Sequence, residues 1–501
     1  MKLLKSATLI GKDAKSVDVE VGFTNGLPGF SIVGLAQGSV VESKDRVKSS
    51  LLINNLKLPP KKIVINLSPS DLNKRGSHFD LPIALGVGLY NEDIDFSRYY
   101  FFGELGLDGV LRDSDLIFPL VLSLAKEGCL KKVVVPEDSK EKIALIPGVE
   151  LFAFSNIVEV FEFFRSDKPK GVSGEFSIDA RSFEVENESF YFDENIEEEF
   201  ADVRGQEFAK RAALISATGF HNILLEGSPG SGKSMIAKRL PYILPPLKRQ
   251  EILEIAMLKS FEGQNPDFRA LRPFRAPHSS SSKSSIFGGG NRDMKPGEVS
   301  YANLGVLFFD EFPSFAKTII ESLREPLENH KILISRVNAK IEYEADFLFV
   351  AAQNPCPCGN LFSSTKECRC SQIEINRYQG KISEPVLDRI DLYVKMDEVT
   401  LEDRASISSK DMREMVFEAY KLQRQRGQSV YNSRLSGDEF RKSCSLEKES
   451  EELLSSALKR FGLSLRSADK IVRVARTIAD LSLSKDIKKQ HIIEALGFRK
   501  R

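Results

Sequence analysis

The sequence has little cysteine, no excess charge of either sign and no apolar run long enough to span a membrane. Basic and acidic residues number 71 each, so the chain lacks the polycationic character that indicates nucleic-acid binding, and any such contact must come from local patches. The N-terminus begins like an export signal, but lysines interrupt its apolar segment. Six cysteines without an export signal indicate a reducing compartment, where close cysteines are metal ligands more often than disulfides. We therefore expect a cytoplasmic protein.

The length of 501 residues is too great for one hydrophobic core and predicts about three domains. Short β-rich runs alternate with helical ones at the start, acidic residues then dominate a polar stretch, and the last hundred or so residues are helical in pattern. The predicted segments are an α+β domain at 1–165, an acidic linker at 166–200, an α/β core with a parallel sheet at 201–400, and a helical domain at 401–501.

A glycine-rich loop in the third segment indicates phosphate binding. It follows an apolar strand pattern at 223–225 and precedes a helical pattern at 235–240. In the G-x4-G-K-S spacing the backbone N–H groups cradle phosphates, Lys233 neutralises them and the Ser234 hydroxyl ligates Mg²⁺. With these flanks a plain Gly/Ser surface turn is the weaker interpretation. The loop consists of Gly227, Ser228, Pro229, Gly230, Ser231, Gly232, Lys233 and Ser234, and its expected ligand is ATP with Mg²⁺.

Two further strand ends carry polar side chains suited to ATP hydrolysis. The apolar run 305–309 ends in Asp310 and Glu311, and the run 347–352 leads through Gln353 to Asn354. Carboxyl ends of parallel strands meet at one edge of a sheet. Asp310 is predicted to hold Mg²⁺ through water, Glu311 to deprotonate the attacking water, and Asn354 to position that water.

The phosphate loop, the Asp-Glu strand and the strand-end Asn occur in the order found in AAA+ ATPases, which the segment 201–400 resembles. Further motifs are similar to the magnesium-chelatase-like ComM/YifB family over nearly the whole chain. These motifs are Arg272-Pro-Phe-Arg-Ala-Pro-His278, Gly288-Gly-Gly290, Pro296-Gly-Glu-Val-Ser300, Leu323-Arg-Glu-Pro-Leu327 and Asn354-Pro-Cys-Pro-Cys-Gly359. The resemblance implies an ATP-driven motor for DNA branch migration in natural transformation or recombination, with 401–501 as the AAA+ lid.

The segment 1–165 resembles the proteolytic domain of Lon, which has a ribosomal protein S5 domain 2-like fold. The resemblance lies in the order of elements and in the stretches 66–71 and 74–84. At the position of the Lon nucleophile this chain has His78, with Ser77 next to it. A Ser–Lys dyad needs one firmly held hydroxyl beside a desolvated lysine. We therefore expect the fold without the protease.

Two arginines are candidates for contacts with the γ-phosphate. Related modules place an arginine finger where Arg389 stands, in Pro385-Val-Leu-Asp-Arg-Ile-Asp391, and the ordinary alternative is an ion pair with Asp388 or Asp391. A finger acts on the neighbouring subunit, so the resemblance implies a homo-oligomeric ring, expected to be a hexamer. Arg466, at the start of a periodic helix over 465–481, is the expected sensor-2 residue acting in cis, and Arg473 is its competitor.

Four of the six cysteines form a C-x-C-x9-C-x-C arrangement in the insertion 355–371. Thiolates from two tight loops can complete a tetrahedral Zn²⁺ site, which would be structural because no coordination position stays open. The alternative is four reduced thiols in a flexible loop. The expected ligands are Cys356, Cys358, Cys368 and Cys370.

DNA contacts are expected on two loops. Alternating patterns at 331–344 predict a β-hairpin, with Arg336 and Lys340 near its tip. The loop 288–297 offers Arg292 and Lys295. A few Lys/Arg contacts to phosphates give sequence-independent binding, which suits a motor on branched or single-stranded DNA. The alternative is that these are ordinary exposed charges.

The sequence leaves three hypotheses open. The first is an ATP-hydrolysing ring motor on DNA, and the second is a magnesium-chelatase-type or protein-remodelling ATPase. The third, a nucleotide-gated scaffold, is disfavoured because a scaffold has no use for a water-activating Glu311. The basic hairpin favours the first over the second.

Overall fold

The computed structural model describes residues 1–166, 178, 180–290, 295–336, 339–400 and 403–499, with the backbone only at residues 336 and 339. The chain forms two compact units. The first comprises Met1–Asp179 with Ala256–Phe268, and the second comprises Ala180–Ile255 with Arg269–Arg501.

The first unit is built on a mixed sheet of seven strands in the order β3-β4-β2-β1-β5-β8-β9. The pairs β1–β2 and β2–β4 are antiparallel, and the remaining neighbours are parallel. A two-stranded ribbon, β6–β7, is separate from this sheet. The strands of the unit are β1 (Lys2–Ile10), β2 (Asp13–Thr24), β3 (Gly29–Val33), β4 (Lys62–Ser68), β5 (Tyr99–Phe101), β6 (Glu104–Leu105), β7 (Leu111–Arg112), β8 (Lys132–Pro136) and β9 (Glu150–Phe154).

Helix α3 of the first unit is buried from Asp80 to Val87 and belongs to the unit's core together with β1, β2 and β4. Its Gly86 lies against Val21, and a Cβ at this glycine would stand 2.5 Å from a Val21 methyl carbon. The helices are α1 (Gly38–Val41), α2 (Ser43–Ile53), α3 (Asp80–Gly88), α4 (Ile117–Lys126), α5 (Lys140–Ala144) and α6 (Ile157–Arg165). The unit is α+β, as predicted.

The second unit contains a five-stranded sheet in the order β14-β15-β18-β12-β19, and every neighbouring pair in it is parallel. A smaller antiparallel sheet has the order β10-β11-β13, and β16 pairs with β17 as a hairpin. The strands are β10 (Arg181–Val185), β11 (Glu188–Phe192), β12 (Ile223–Glu226), β13 (Leu247–Lys248), β14 (Phe274–Arg275), β15 (Val306–Phe309), β16 (Lys331–Arg336), β17 (Ala339–Glu344), β18 (Leu348–Gln353) and β19 (Leu392–Lys395). The predicted parallel sheet is confirmed.

Hydrophobic side chains cover both faces of the parallel sheet. Ile223 and Leu225 belong to one core cluster and Leu224 to another, as the alternation of side chains along a strand requires. Continuous apolar runs are therefore needed in these strands. The helices of the unit are α7 (Glu207–Gly219), α8 (Lys233–Arg239), α9 (Arg249–Phe261, whose last turns belong to the first unit), α10 (Lys283–Phe287), α11 (Glu298–Tyr301), α12 (Lys317–Ser322), α13 (Arg324–Asn329), α14 (Gln372–Gln379), α15 (Glu384–Leu387), α16 (Ser409–Gln425), α17 (Gly437–Ser443), α18 (Lys448–Phe461), α19 (Leu465–Leu481) and α20 (Lys489–Gly497).

The stretch predicted as an acidic linker, 166–200, contains the β10–β11 hairpin, which belongs to the second unit. Its two turn residues, Glu186 and Asn187, have φ of 51° and 63°, as a tight hairpin turn requires. Phe190 is fully buried, with its ring 5.4 Å from that of Tyr420. From 181 onward the linker prediction is therefore wrong, because alternating apolar residues anchor a hairpin.

The helices in the described part of the chain all fall short of the length and apolar character that a bilayer crossing demands.

Candidate nucleotide-binding site

The glycine-rich loop connects β12 to α8, as predicted. Gly230 and Gly232 have φ of 83° and 93°, a conformation that favours glycine, and Lys233 opens the helix. The Lys233 Nζ donates hydrogen bonds to the carbonyl oxygens of Gly227 at 2.7 Å and Ser228 at 3.0 Å. Burial lowers the pKa of Lys233, while the charge of Asp310 acts in the opposite direction. The lysine ammonium group thus lies within the curve of the loop, where the G-x4-G-K-S motif places it to contact phosphate oxygens.

The two residues predicted to serve Mg²⁺ lie together. The Ser234 Oγ donates a hydrogen bond of 2.8 Å to Asp310 Oδ2, and the Glu311 N–H donates one of 2.9 Å to Asp310 Oδ1. Oxygen ligands from a hydroxyl and a carboxylate suit Mg²⁺. Glu311 follows with φ of 49°, a conformation uncommon outside glycine and found disproportionately at functional sites.

Asn354 completes the constellation at the carboxyl edge of the sheet. Its Oδ1 accepts a hydrogen bond of 3.1 Å from Lys233 Nζ. In the strand registers, Glu226 pairs with Gln353 and Phe309 with Ala351, so β12, β15 and β18 end at the same edge. The structure therefore brings together Lys233, Ser234, Asp310, Glu311 and Asn354.

Two polar residues that the sequence analysis passed over hold the phosphate loop in place. Buried Glu226 accepts hydrogen bonds from Gln353 Nε2 at 2.7 Å and from the Tyr393 hydroxyl, and these bonds join β12 to its two neighbours, β18 and β19. Gln206 Nε2 donates to the carbonyl oxygens of Ser231 at 3.1 Å and of Asp397 at 2.6 Å. A lone acid at the end of a buried strand was the available signal for Glu226.

Arg389 and Arg466 lie at the opposite, amino edge of the sheet. The Asn222 Nδ2 before β12 donates to the Arg389 carbonyl oxygen at 2.9 Å, and Arg389 itself is 9% exposed. Both arginines bind one carboxylate, that of Glu328, with Arg466 at 3.2 Å. A four-residue strand, about 13 Å long, separates this edge from the phosphate loop. The structure thus contradicts the cis placement of Arg466.

A cavity of about 510 Å³ opens at this amino edge. More basic than acidic side chains line it. Arg473, the alternative candidate for the sensor-2 residue, also lines this cavity and therefore lies at the amino edge as well. The ion pair of Arg389 with Asp388, considered as the alternative to an arginine finger, is not what the structure has. Arg389 pairs with Glu328, and Asp388 pairs with Arg466. The charged lining residues are Arg389, Arg434, Arg466, Lys470 and Arg473 against Glu328, Asp346 and Asp391, with His330 beside them.

The four closely spaced cysteines meet in space. Their sulfur atoms all lie within 4.8 Å of one another. The Cys356 sulfur is 3.4 Å from that of Cys358 and 3.7 Å from that of Cys368. Tetrahedral zinc with Zn–S bonds of about 2.3 Å places its sulfurs about 3.8 Å apart. The cluster, which includes Cys370, therefore fits a tetrahedral thiolate site.

The hairpin predicted for DNA is present as β16 and β17, and Lys340 is exposed on it. Arg292 and the side chain of Arg336 lie outside the described residues. Lys295 forms a backbone bridge with Gly289, and a Cβ on the neighbouring Gly288 would stand 2.5 Å from Ile334 of β16. The described start of the second candidate loop, at Gly288, thus lies against the hairpin.

In the first unit, Ser77 and His78 are held by separate partners. The Ser77 hydroxyl donates to Glu104, and His78 Nε2 lies 2.9 Å from the Ala7 carbonyl oxygen. Lys74, whose pKa burial lowers, donates to the Pro69 carbonyl oxygen. The described hydrogen bonds thus join Ser77 to a carboxylate and Lys74 to a backbone carbonyl oxygen, and the expectation of a fold without the protease stays a prediction.

Sequences of known protein families match both units of this chain. Sequence profiles described as "Magnesium chelatase, subunit ChlI", "Subunit ChlI of Mg-chelatase" and "Magnesium chelatase, subunit ChlI C-terminal" match residues 199–404, 19–139 and 406–499. Competence protein ComM of Haemophilus influenzae is 36% identical over 512 residues, covering 100% of this chain and 97% of ComM. YifB of Escherichia coli K12 is 36% identical over 517 residues, with the same coverage of both chains. The chain belongs to the ComM/YifB family of magnesium-chelatase-like proteins.

The three profile matches contain different candidate residues of this ComM/YifB family member. The match to 199–404 contains the phosphate loop, Asp310, Glu311, Asn354, the cysteine cluster and Arg389, whereas Arg466 lies in the match to 406–499. Ser77 and His78 lie in the match to 19–139. Likeness to Lon in the first unit stays a prediction.

The ComM/YifB chain is also similar to a chelatase component. The magnesium-chelatase 67 kDa subunit of Heliobacterium mobile is 23% identical over 244 residues, which is 40% of this chain and 36% of that subunit.

Proposed function

We propose that this protein is an AAA+ ATPase that hydrolyses ATP to ADP and phosphate. The observation that carries the proposal is the convergence of Lys233, Ser234, Asp310, Glu311 and Asn354 at one sheet edge, with Lys233 bound to Asn354 and Ser234 bound to Asp310. A phosphate-binding lysine, a metal-binding pair, an acid and an amide at one site are the parts that phosphoryl transfer needs.

Each residue has a distinct role in this proposal. Lys233 exchanges its two loop carbonyls for phosphate oxygens, and Glu311 accepts a proton from the attacking water. Asn354 orients that water from its place beside Lys233. Ser234 and Asp310 would hold Mg²⁺, which supplies charge neutralisation between the β- and γ-phosphates when bound.

The amino-edge arginines fit a site shared between subunits. Arg389 is too far from its own phosphate loop to contact the same nucleotide, so we assign it to the nucleotide of a neighbouring subunit. Arg466 shares the Glu328 carboxylate with it and takes the same assignment in place of the cis role. A head-to-tail arrangement closes into a ring when the rotation between subunits returns to the first subunit, and we propose a closed ring of six.

The substrate we propose is DNA, with branch migration or helicase activity as the outcome. The support is full-length similarity to a competence protein and the exposed Lys340 on a hairpin that lies against the start of a second candidate loop. A motor of this kind, with closely spaced reduced thiols, would work in the cytoplasm.

A magnesium-chelatase-type or protein-remodelling ATPase is the second candidate. The similarity to the Heliobacterium mobile subunit favours it, because the match covers 40% of the chain. The DNA motor remains the first choice because the similarity to ComM extends over 100% of the chain.

We further propose a structural Zn²⁺ ion on Cys356, Cys358, Cys368 and Cys370. The support is the sulfur geometry, which matches four thiolates around one ion. The metal content of chain purified under reducing conditions without chelator tests this assignment. One zinc per chain is expected, together with its loss in Cys356→Ser and Cys368→Ser.

The function is tested by measuring ATP turnover with and without a four-way DNA junction. Faster turnover in the presence of the junction supports the DNA motor. Turnover that is unchanged by DNA but increases with a protein substrate supports the chelatase-type or protein-remodelling ATPase. A chain without any ATP turnover would overturn both.

A further inference from the structure

The cysteine cluster is built directly against the phosphate loop. Cys356, Pro357, Cys358 and Gly359 form a turn closed by a 3.0 Å hydrogen bond from the Gly359 N–H to the Cys356 carbonyl oxygen. Gly359 has φ of 80°, and a Cβ there would stand 2.6 Å from the Pro229 ring. The turn that carries two of the sulfurs thus contacts the phosphate loop with no space to spare.

The second connection runs through Asn354, which precedes Cys356 by two residues and accepts the hydrogen bond from Lys233. Helix α14 starts directly after Cys370, with Ser371 as its N-cap in a capping box. The far end of that helix returns to the same place, because Gln379 Nε2 donates to the Pro355 carbonyl oxygen at 3.0 Å. The side chain of Tyr378 is hydrogen-bonded to the Asn354 backbone, and burial raises the pKa of Tyr378 to about 12.

Outside the cluster, separate side-chain and backbone contacts hold this segment, and regular secondary structure does not. Residues 354–371, all of them described, contain no helix and no strand. Away from the cysteines, Lys395 of β19 lies over the Phe362 ring at 3.8 Å, and the Ser364 N–H donates to Glu398 at 2.9 Å. A long loop without regular structure needs a cross-link to keep one geometry, and a bound metal ion supplies one.

We propose that zinc at the cysteine cluster and ATP at the phosphate loop bind cooperatively, each raising the affinity for the other. Zinc fixes the turn at 356–359, and that turn holds Pro229 and Asn354 where the nucleotide needs them. Linkage requires the effect to be reciprocal. The inference rests on the proposed function in that ATP binds at this loop and zinc at the cysteine cluster.

The test compares the full-length chain with zinc bound and after zinc removal, in excess Mg²⁺, using a fluorescent ATP analogue that is not hydrolysed. We expect roughly tenfold weaker binding without zinc, within the range usual for coupled sites. Zinc transfer to a coloured chelator should slow by a similar factor when the analogue is present. The Cys356→Ser variant should behave like the zinc-free chain, whereas Cys444→Ser, a buried cysteine outside the cluster, should retain the zinc dependence.

Two substitutions at the contact separate coupling from general damage. Pro229→Ala removes the ring that Gly359 contacts but keeps the hydrogen bond between Lys233 and Asn354, so zinc removal should weaken its binding of the analogue by clearly less than the tenfold expected for the unmutated chain. Gly359→Ala forces a methyl group into Pro229 and should weaken nucleotide binding while zinc content stays at one per chain.

Equal nucleotide affinity of the zinc-bound and zinc-free chain would overturn the inference, as would a chain that binds no zinc. A zinc-loaded chain that binds no nucleotide would instead overturn the proposed function, and the coupling with it.

Discussion

Substitutions of Lys233 and Glu311 should affect different steps, the first the binding of ATP and the second its hydrolysis. Lys233→Ala removes the charge that closes the phosphate loop and should weaken ATP binding by about 3 kcal/mol, or roughly a hundredfold. Glu311→Gln keeps the side-chain shape but cannot accept a proton, so it should bind ATP normally and lose turnover by roughly 100- to 10,000-fold. Nucleotide titration and steady-state turnover check both variants.

Glu325→Gln, a change to an exposed acid on α13, is the matched control and should turn over at the unmutated rate. If Glu311→Gln hydrolyses ATP as fast as that control, Glu311 is not the base.

The buried His78 should make the first unit sensitive to acid. Burial lowers the pKa of His78 from 6.5 to about 4, and its ring packs 4.4 Å from that of Phe79. The unfolded chain therefore binds more protons than the folded one between these two values. The contribution of His78 to the free energy of unfolding is therefore fully present above pH 6.5. It is lost as the pH falls towards 4, and the loss is about 3 kcal/mol in total.

Hydrogen exchange of the β1 amides as a function of pH measures this loss. His78→Gln should flatten the pH dependence between 6.5 and 4, whereas His278→Gln, at an exposed histidine, should leave it unchanged. A slope that survives in His78→Gln would assign the acid sensitivity to other groups.

The positions of the candidate residues at the carboxyl edge were predictable from the sequence, and those at the amino edge were not. Parallel strands must end together, so spacing alone places Asp310 near Ser234. No such rule fixes where a lid helix starts, and Arg466 consequently lies beside Glu328 rather than beside the phosphate loop. The roles of Glu226 and Gln206 depend on side chains that meet across the sheet edge, which periodicity does not report.

Secondary-structure elements followed the sequence closely where the periodicity was strong. Helix α19 has the predicted limits, and β12, β15 and β18 agree with prediction within a residue or two. The β10–β11 hairpin was missed because the acidic residues near its turn and in the stretch 193–199 dominate the local composition. Its buried face, with Phe183, Val185 and Phe190, carries the alternation that predicts a strand.

The β16–β17 hairpin is the element on which DNA binding is to be tested. Lys340 is exposed and stands opposite Ser335, whereas Lys331 at the base of the hairpin is already paired with Glu342 at 2.7 Å. Lys340→Glu should weaken binding equally for all DNA sequences. It should also lower the slope of log affinity against log salt by about 0.9 for each phosphate that the lysine neutralises in the unmutated chain.

Lys489→Glu makes the same change in net charge at an exposed position on α20 and is the control. Equal DNA affinity and equal salt slopes for the two variants would remove the hairpin from the DNA-binding surface.

For the whole molecule, the sequence predicted an α+β unit followed by an α/β unit, and both are confirmed. How subunits assemble is a property of surfaces that one sequence does not specify. The structure adds one constraint, since the basic cavity and the phosphate loop lie at opposite edges of one sheet. A shared site then needs two copies of the chain.

Mixing two inactive variants tests the shared site. Lys233→Ala lacks a working phosphate loop and Arg389→Ala lacks the arginine for its neighbour, so each alone should be nearly inactive. In a random equal mixture, about a quarter of the interfaces pair an intact loop with an intact arginine, and turnover should recover to about that fraction. A mixture of Lys233→Ala with Glu311→Gln, both damaged at the carboxyl edge, is the control and should stay inactive. If the Arg389→Ala variant alone turns over at the unmutated rate, or if the first mixture stays as inactive as the control, the nucleotide is cleaved within one subunit.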